Sequence, residues 1–225
     1  MSEKPTGESG AHSTRIGVLG AGRAGTSLAR AAASAGIGVN IAASRPPRML
    51  KYHLAQYAPQ ATAVPAEQIA DAVDLVVLMV PQEELDEVDP NTLAGTILVD
   101  ATNRWEDEPL PDWFQRALEA GLSSSEAIAE HFAGTRVVKA LNHISHWDLD
   151  TSGRRKQSQR RGLAVASDHR REAAVVARLI DVLGFEPVIL ASLAQGRGME
   201  PDGPIFNEVL GAQELSRLLP HDREA

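Results

Sequence analysis

A glycine-rich turn at residues 20–25 restricts the fold of this chain more than any other feature. It reads Gly-Ala-Gly-Arg-Ala-Gly and lies between an apolar segment, 15–19, and an alanine-rich segment, 24–35. In a Rossmann fold the first glycine permits the bend after a strand, the second lets the backbone approach a pyrophosphate, and the third lets helix and strand pack closely. An incidental loop is the weaker interpretation, because the turn lies between a strand and a helix. The predicted dinucleotide-binding residues are Gly20, Ala21, Gly22, Arg23, Ala24 and Gly25.

The residues after the second apolar segment indicate which dinucleotide the turn binds. An NAD site usually has Asp or Glu about twenty residues after the glycine turn, where the carboxylate binds the ribose 2′-hydroxyl. This chain has Ser44 and Arg45 there, a hydroxyl donor and a guanidinium that can hold phosphate oxygens in a bidentate manner. Arg48 lies one helical turn further on. The sequence therefore favours NADP(H) over NAD(H), with a solvated turn as the alternative interpretation of Arg45.

The rest of the chain alternates short apolar segments with segments of helical periodicity. This alternation predicts an α/β fold: a Rossmann, doubly wound and mostly parallel sheet with a small α/β C-terminal extension. We expect a disordered tail (1–14), an NADP-binding Rossmann domain (15–141) and a C-terminal acceptor-side region (142–225). The predicted strands are 15–19, 39–43, 61–64, 75–80, 96–99, 136–141, 162–166 and 185–190. The predicted helices are 24–35, one that begins at 46–47, 66–72, 168–183 and 205–219.

Composition excludes several classes of function. The chain has no cysteine, which excludes disulfides, thiolate zinc sites, iron–sulfur clusters and a cysteine nucleophile. Its formal net charge of −8 does not attract nucleic acid or an anionic membrane. No apolar run approaches the roughly 18 residues that span a bilayer, and residues 1–13 lack the apolar core of a signal peptide. We therefore expect a cytoplasmic protein that binds neither a membrane nor nucleic acid.

Several short motifs follow one another in order between residues 15 and 208. Besides the glycine turn, they include residues 43–45, 74–81, 99–103, 137–142 and 184–187, with a last group at 192–201. In this order they resemble the NADP-dependent oxidoreductase family that includes the deazaflavin-linked, F-420-dependent NADP reductases. They are also similar to the reductase domain of the STEAP metalloreductases and to bacterial predicted dinucleotide-binding proteins.

The resemblance implies a role for residues at the ends of the later strands. Val80, Pro81 and Gln82 would flank the nicotinamide riboside, while Asn103 and the turn that begins at Asn142 would border the nicotinamide and the acceptor. It also implies NADP(H) as cofactor and coenzyme F-420 or a flavin as electron acceptor. Family members that bind deazaflavin often have Asp-x-Gly in a late loop, where this chain has Ile-Leu-Ala-Ser-Leu at 189–193.

We expect the function to be hydride transfer between NADPH and a flavin or deazaflavin, a small-molecule acceptor. Such a transfer needs two rings in contact and little acid–base help, because the cofactor carries the chemistry. The alternatives are a non-catalytic NADP(H)-sensing protein and an NADPH-dependent reductase of a small imine or carbonyl. A homodimer is compatible with this reading, since small enzymes of this kind often complete the acceptor pocket with a neighbour.

Two histidines, a basic run and a tryptophan loop each allow more than one interpretation. His143 and His146 are candidates on the acceptor side, where one could donate a proton, since histidine titrates near neutrality. A structural role and, less favoured, a metal site with Asp148 are the alternatives; we expect no metal. The run 154–161 has five positive charges in an acidic protein, and is read as a solvated loop, a site of capture for an anionic acceptor, or a nucleic-acid site. The tryptophans of the loop 105–113 would cover the site or anchor the core.

Overall fold

The predicted strands form one sheet in the computed structural model, which describes residues 15–105, 109–151 and 160–219. Their order is β3-β2-β1-β4-β5-β6-β7-β8, and every neighbouring pair is parallel except β6 and β7. The order reverses between β1 and β4, which is the switch point of a doubly wound fold. This confirms the predicted mostly parallel Rossmann sheet; the predicted tail 1–14 lies outside the described residues. The strands are β1 (Arg15–Leu19), β2 (Gly38–Ala42), β3 (Thr62–Ala63), β4 (Leu75–Leu78), β5 (Ile97–Asp100), β6 (Arg136–Ala140), β7 (Gly162–Ala166) and β8 (Glu186–Leu190).

Helices cover both faces of this sheet. Along β4 the side chains alternate: Val76 and Leu78 belong to one apolar cluster, and Val77 belongs to the cluster on the opposite face. Because both faces are buried, the strands read as continuous apolar runs. No helix within the described ranges has both the length and the apolar character required to cross a bilayer. The helices are α1 (Arg23–Ser34), α2 (Pro47–Tyr57), α3 (Pro90–Leu93), α4 (Asp112–Glu119), α5 (Ser124–His131), α6 (His146–Thr151), α7 (Arg170–Val182) and α8 (Ala212–Leu218).

The C-terminal part of the chain extends the same sheet. β7 pairs antiparallel with β6, and β8 pairs parallel with β7. A third apolar cluster lies beneath α8, where Ala164 and Ala166 of β7 contact Met199, Ile205 and Leu215. β8 therefore ends at the edge opposite to the ends of β5 and β6, and the segment after it returns to the end of β6, where the carbonyl of Met199 accepts from Asn142.

The predicted last helix, 205–219, is wrong in its first half. Asn207 adopts a left-handed conformation with φ of 59°, which interrupts any helix begun before it, and its N–H donates to the carbonyl of His143. The helix begins only after Gly211, whose N–H is bound by the Glu214 carboxylate at 3.1 Å. Val209, inside the predicted range, is 60% exposed. The predicted helix 66–72 is likewise a single 3₁₀ turn, Ala66–Gln68.

Helix α5 was missed although its signal is present in the sequence. The three serines at 123–125 are followed by Glu126, and this is the pattern of a capping box. The Ser123 hydroxyl accepts from the backbone N–H of Glu126, and the Glu126 carboxylate accepts from the N–H of Ser123 at 2.8 Å.

Helix α6 is held against α1 by Arg30. Its Nε atom lies 2.7 Å from the Asp150 carboxylate of α6, its Nη2 atom donates to Ser27 of α1, and its Nη1 atom donates to the carbonyl of Tyr57 at the end of α2. One guanidinium therefore joins three helices, including the short helix near the start of the C-terminal region.

We expect Arg30→Ala to lower the free energy of unfolding by about 1 kcal/mol, since the ion pair is partly exposed and its net contribution is modest. Urea unfolding would measure the change, with Arg178→Ala as the control, because Arg178 is an exposed arginine of α7. Equal midpoints for the two variants would show that Arg30 does not join the helices energetically.

Candidate functional site

A cavity of about 890 Å³ lies at the carboxyl ends of the central strands. This is the edge at which open parallel sheets bind ligands, and the volume is within the range of small-molecule and cofactor sites. The cavity begins at the glycine turn and Ser44, passes Val80 and Pro81, and ends at residues that follow β5 and β6. Of the predicted site residues, its lining contains Gly20, Ala21, Gly22, Arg23, Ala24, Ser44, Val80, Pro81, Asn103, Asn142 and His146.

The glycine turn has the geometry that a phosphate site requires. Gly20 has φ of 121°, and a Cβ atom there would lie 2.3 Å from the carbonyl oxygen of Met79. A Cβ atom on Gly25 would lie 1.9 Å from the carbonyl oxygen of Gly20, so α1 can pack on β1 only with glycine at that position. A Cβ atom on Gly22 would have no protein atom within 4 Å, which leaves its backbone open to a ligand. No side chain caps α1 at Gly22, and the first amides of the helix are available to an anion. These residues fit the pyrophosphate of a dinucleotide.

Beside the predicted residues at the end of β2, the cavity contains several carboxylates that the sequence analysis did not predict. Ser44 lines the cavity, whereas Arg45 and Arg48 are exposed beside it, outside the lining. The end of β2 has no carboxylate, as the sequence indicated. The segments after β3 and β4, however, contribute five carboxylates to the lining of the cavity. These carboxylates belong to Glu67, Glu83, Glu84, Glu87 and Asp89. Since Arg23 is the one arginine in this lining, a 2′-phosphate bound beside Ser44 would depend on Arg45 and Arg48 for further positive charge.

Two asparagines form the opposite end of the cavity. The Nδ2 atom of Asn103 donates to the backbone carbonyl of Asn142 at 2.7 Å, and the Nδ2 atom of Asn142 donates to Oδ1 of Asn103 at 3.1 Å. Asn142 also donates to the carbonyl of Met199 at 2.6 Å. These bonds join the ends of β5 and β6 to the late 3₁₀ segment Ala194–Met199. The cavity thus ends in a polar edge with a fixed orientation, where the resemblance placed the nicotinamide.

Gln82 does not lie where the resemblance placed it. Its side chain is buried and donates to the Thr102 hydroxyl at 3.0 Å, away from the first cavity. The 3₁₀ helix Gln82–Glu87 turns the side chain that follows Pro81 inward. Gln82 therefore supports the loop after β5, and it also borders a second cavity.

His143 is a structural residue, which corrects its assignment to the acceptor side. It is 1% exposed and is absent from the lining of the cavity. Its Nε2 atom accepts from the N–H of Ala164 at 3.1 Å, and its Nδ1 atom lies 3.3 Å from Oδ1 of Asn142. Burial lowers the pKa of His143 to about 3, with the charges of Arg161 and Lys139 adding to the shift. A neutral imidazole in the core, with both ring nitrogens in hydrogen bonds, cannot exchange a proton with an acceptor.

His146 remains a candidate residue on the acceptor side of the site. It begins α6, is half-buried and lines the nicotinamide end of the cavity. A metal site shared by His143, His146 and Asp148 is not formed, because His143 is bound in the core and Asp148 accepts from Arg161 at 3.0 Å. Within residues 15–105, 109–151 and 160–219, no three His, Asp or Glu side chains come together as a metal site would require.

A buried ion pair lies behind the asparagine edge, and no sequence pattern predicted it. Lys139 of β6 and Asp100 of β5 are both fully buried, with Nζ 3.1 Å from the carboxylate. Asp100 also accepts from the hydroxyl of Ser125 and from the backbone and hydroxyl of Thr102. Burial acts to raise the pKa of Asp100, but Lys139 and these hydrogen bonds outweigh it and hold the pKa below its ordinary value. Thr102 connects this pair to Gln82 and precedes Asn103, so the network supports the floor of the site.

A second cavity, of about 1080 Å³, adjoins the first. The two share Asn103 and Trp105, and Trp105 is 68% exposed with its ring edge-on to Phe206 at 5.7 Å. The second cavity contains two arginines, Arg104 and Arg197, and two carboxylates. Ser124 of α5 is fixed there by the Glu200 carboxylate, which accepts from its hydroxyl at 2.6 Å.

The other candidate features lie away from these cavities. Trp113 stacks on His131 with 3.9 Å between ring centroids and donates to Asp86, so it packs against α5 and does not cover the site. Most of the basic run, 154–159, lies outside the described residues, as do residues 106–108. Arg160 binds Asp181 at 2.9 Å, and Arg161 is buried and binds Asp148 at 3.0 Å, so these two arginines are not part of a solvated loop.

Comparison with known proteins supports NADP(H) binding. Residues 15–104 match the model of a family described as NADP oxidoreductase, coenzyme F-420-dependent. The metalloreductase STEAP3 of Rattus norvegicus is 30% identical over 188 residues, which are 83% of this chain but 36% of that protein. This chain therefore spans about a third of the length of that curated relative.

Solved structures show the same fold. The hypothetical protein SMa0349 of Sinorhizobium meliloti is 28% identical with a TM-score of 0.75, covering 88% of this chain and 95% of that one. A protein of Arthrobacter sp. FB24 described as an F-420-dependent NADP-reductase has 24% identity and a TM-score of 0.65, covering 82% of this chain and 88% of that one. At this identity the second likeness shows the fold alone. The motifs, the sheet and these comparisons agree: residues 15–104 are similar to the NADP oxidoreductase family that is described as coenzyme F-420-dependent.

Proposed function

We propose that this protein transfers a hydride between NADPH and a flavin or deazaflavin acceptor. The observation that carries the proposal is the meeting of two cavities at Asn103 and Trp105. The first extends from the phosphate-binding turn to these residues, and the second adjoins it there. An acceptor in the second cavity would therefore border the end of the site proposed for the nicotinamide.

The residues of the site support binding and orientation more than acid–base chemistry. When bound, NADPH supplies the hydride, and the protein contributes position and electrostatics. The free amides at the start of α1 would hold the pyrophosphate, and the bonded pair Asn103 and Asn142 would present a fixed polar edge. His146 is the titratable side chain that lines this end, and it could give a proton to or take one from an acceptor ring.

Trp105 supplies a flat apolar surface where the two cavities meet. Aromatic side chains pack well against other rings in offset or edge-to-face arrangements. A planar acceptor ring would be stabilised there, whereas a small imine or carbonyl offers little area for such contact. This favours a flavin-like acceptor over the small-substrate alternative.

The test is to mix the purified protein with NADPH and, separately, with FMN, FAD, coenzyme F-420 and a cyclic imine, and to follow NADPH oxidation. We expect turnover with at least one flavin or deazaflavin. Trp105→Ala should raise KM for that acceptor about tenfold, for a loss of 1–1.5 kcal/mol of aromatic contact, and leave the Kd for NADPH unchanged. Trp147→Ala is the matched control, because Trp147 is 72% exposed and is in neither lining.

Three results would contradict the proposal. Tight NADPH binding without turnover would favour the non-catalytic, NADP(H)-sensing alternative. Turnover confined to the imine would favour the small-substrate reductase. Equal effects of Trp105→Ala and Trp147→Ala on the acceptor KM would place the acceptor away from the shared wall of the two cavities.

A further inference from the structure

The phosphate-binding turn is held from outside the cavity by a side chain that does not line it. His53 of α2 lies with Nε2 2.9 Å from the carbonyl oxygen of Ala21, the second residue of the glycine turn. The carbonyl can only accept, so Nε2 carries the proton and donates it. His53 is half-buried, and its ring contacts the ring of Tyr57 at 4.8 Å between centroids. The imidazole is therefore fixed on both sides.

This hydrogen bond determines the direction of an amide that would face a ligand. The carbonyl of Ala21 and the N–H of Gly22 belong to the same planar trans peptide, and in such a unit the two groups point in opposite directions. A carbonyl held toward α2 turns the Gly22 N–H away from α2. Gly22 is exposed at the cavity, caps α1 without a side-chain bond, and has no Cβ that could restrain the peptide.

We propose that His53 is a positioning residue for the pyrophosphate of the dinucleotide, acting through the Ala21–Gly22 peptide. Glycine at position 22 allows the backbone to approach a phosphate, but it also leaves that peptide free to rotate. The bond from His53 removes this freedom before the ligand binds. The inference rests on the proposed NADP(H) site and adds a residue that the glycine motif does not contain.

The same helix also begins beside the 2′-phosphate end of the site. Arg45 precedes α2, Arg48 lies in its first turn, and His53 lies in its middle. A general loosening of α2 would therefore weaken both ends of the nucleotide site. Loss of the His53 hydrogen bond alone would weaken only ligands with a pyrophosphate, which gives the proposal a specific signature.

The experiment is calorimetric titration of the full chain and three variants with NADP and with adenosine 2′-monophosphate, which has no pyrophosphate. His53→Phe keeps an aromatic ring beside Tyr57 but cannot donate, and it should weaken NADP about tenfold, the value of one lost hydrogen bond. His53→Ala should weaken it at least as much. His53→Gln places an amide N–H at a similar reach and should bind NADP within about threefold of the wild type, less than one hydrogen bond. Adenosine 2′-monophosphate should bind all four proteins equally.

Each contrary result has a distinct meaning. Unchanged NADP binding by both His53→Phe and His53→Ala would overturn the role of His53 and leave the proposed function intact. Equal weakening of both ligands would make His53 a structural residue of α2. Failure of the wild type to bind NADP would overturn the proposed function and the role of His53 together. If His53→Phe does not fold, the comparison of His53→Ala with His53→Gln decides the same question.

Discussion

Lys139→Met should lower the free energy of unfolding by about 3–5 kcal/mol, because removal of one partner leaves the other charge buried and uncompensated. Lys139 and Asp100 are fully buried, and water cannot reach the carboxylate to replace the ammonium. Asp100→Asn in the same background removes the stranded charge. We therefore expect the double variant to recover a large part of the loss, since buried pairs can often be replaced by neutral groups at little cost.

The effect of Lys139→Met should depend on pH with a definite sign. In the wild type the pKa of Asp100 is held below its ordinary value, so its contribution to stability is present above about pH 4 and is lost as the pH falls through the folded-state pKa. In the variant, burial is opposed only by the hydrogen bonds from Ser125 and Thr102, and we expect the pKa of Asp100 to rise. The penalty should then diminish as the pH falls toward 4, because Asp100 of the variant takes up a proton in this range while Asp100 of the wild type remains ionised.

Urea unfolding at neutral pH and near pH 4 would measure both effects. Arg178→Ala, on the exposed face of α7, is the control for a lost surface charge. If Lys139→Met were as stable as the wild type at neutral pH, the pair would not be a buried ion pair in solution. A penalty that grew on acidification would show that another group is responsible.

Arg45→Ala should weaken NADPH by about 1.5–3 kcal/mol, the range for hydrogen bonds to charged groups, and NADH far less. The five carboxylates that line the cavity make its charge negative, so a bound phosphate gains its attraction from the arginines. The carboxylates repel an added phosphate, and Arg45 and Arg48 provide the compensating charge beside Ser44. The loss should also decrease as salt is added, because the guanidinium is exposed and its field is screened.

Parallel titrations of NADPH and NADH against wild type and Arg45→Ala, at low and at physiological salt, would measure this selectivity. Arg178→Ala again serves as the control, since it removes the same charge from a helix away from the cavity lining. A similar loss for both nucleotides would show that Arg45 does not read the 2′-phosphate. The phosphate would then have to lie closer to Arg23.

The sequence predicted the parts of the molecule that depend on local patterns. The apolar runs became strands, the glycine spacing placed the phosphate-binding turn, and the residues after β2 placed Ser44 at the cavity. These features depend on neighbours within a few residues, and their chemistry is visible in the chain itself.

The errors concern residues whose roles depend on tertiary contacts. His143 and His146 look equivalent in sequence, but the turn after β6 directs His143 into the core and leaves His146 at the cavity. Lys139 appeared to be one residue of a family motif, and only the register of β5 against β6 places it beside Asp100. His53 went unnoticed because its partner, Ala21, is 32 residues away and contributes only a backbone carbonyl.

The contact of α6 with α1 has a consequence for the energetics of recognition. Helix α1 begins at the turn for the pyrophosphate, while α6 begins with His146 at the opposite end of the cavity, and Arg30 and Asp150 join the two helices. The separation between the two ends of the cavity is therefore fixed when the chain folds, before a dinucleotide binds. A dinucleotide of the right length would meet both ends at once, with little conformational entropy left for the protein to lose.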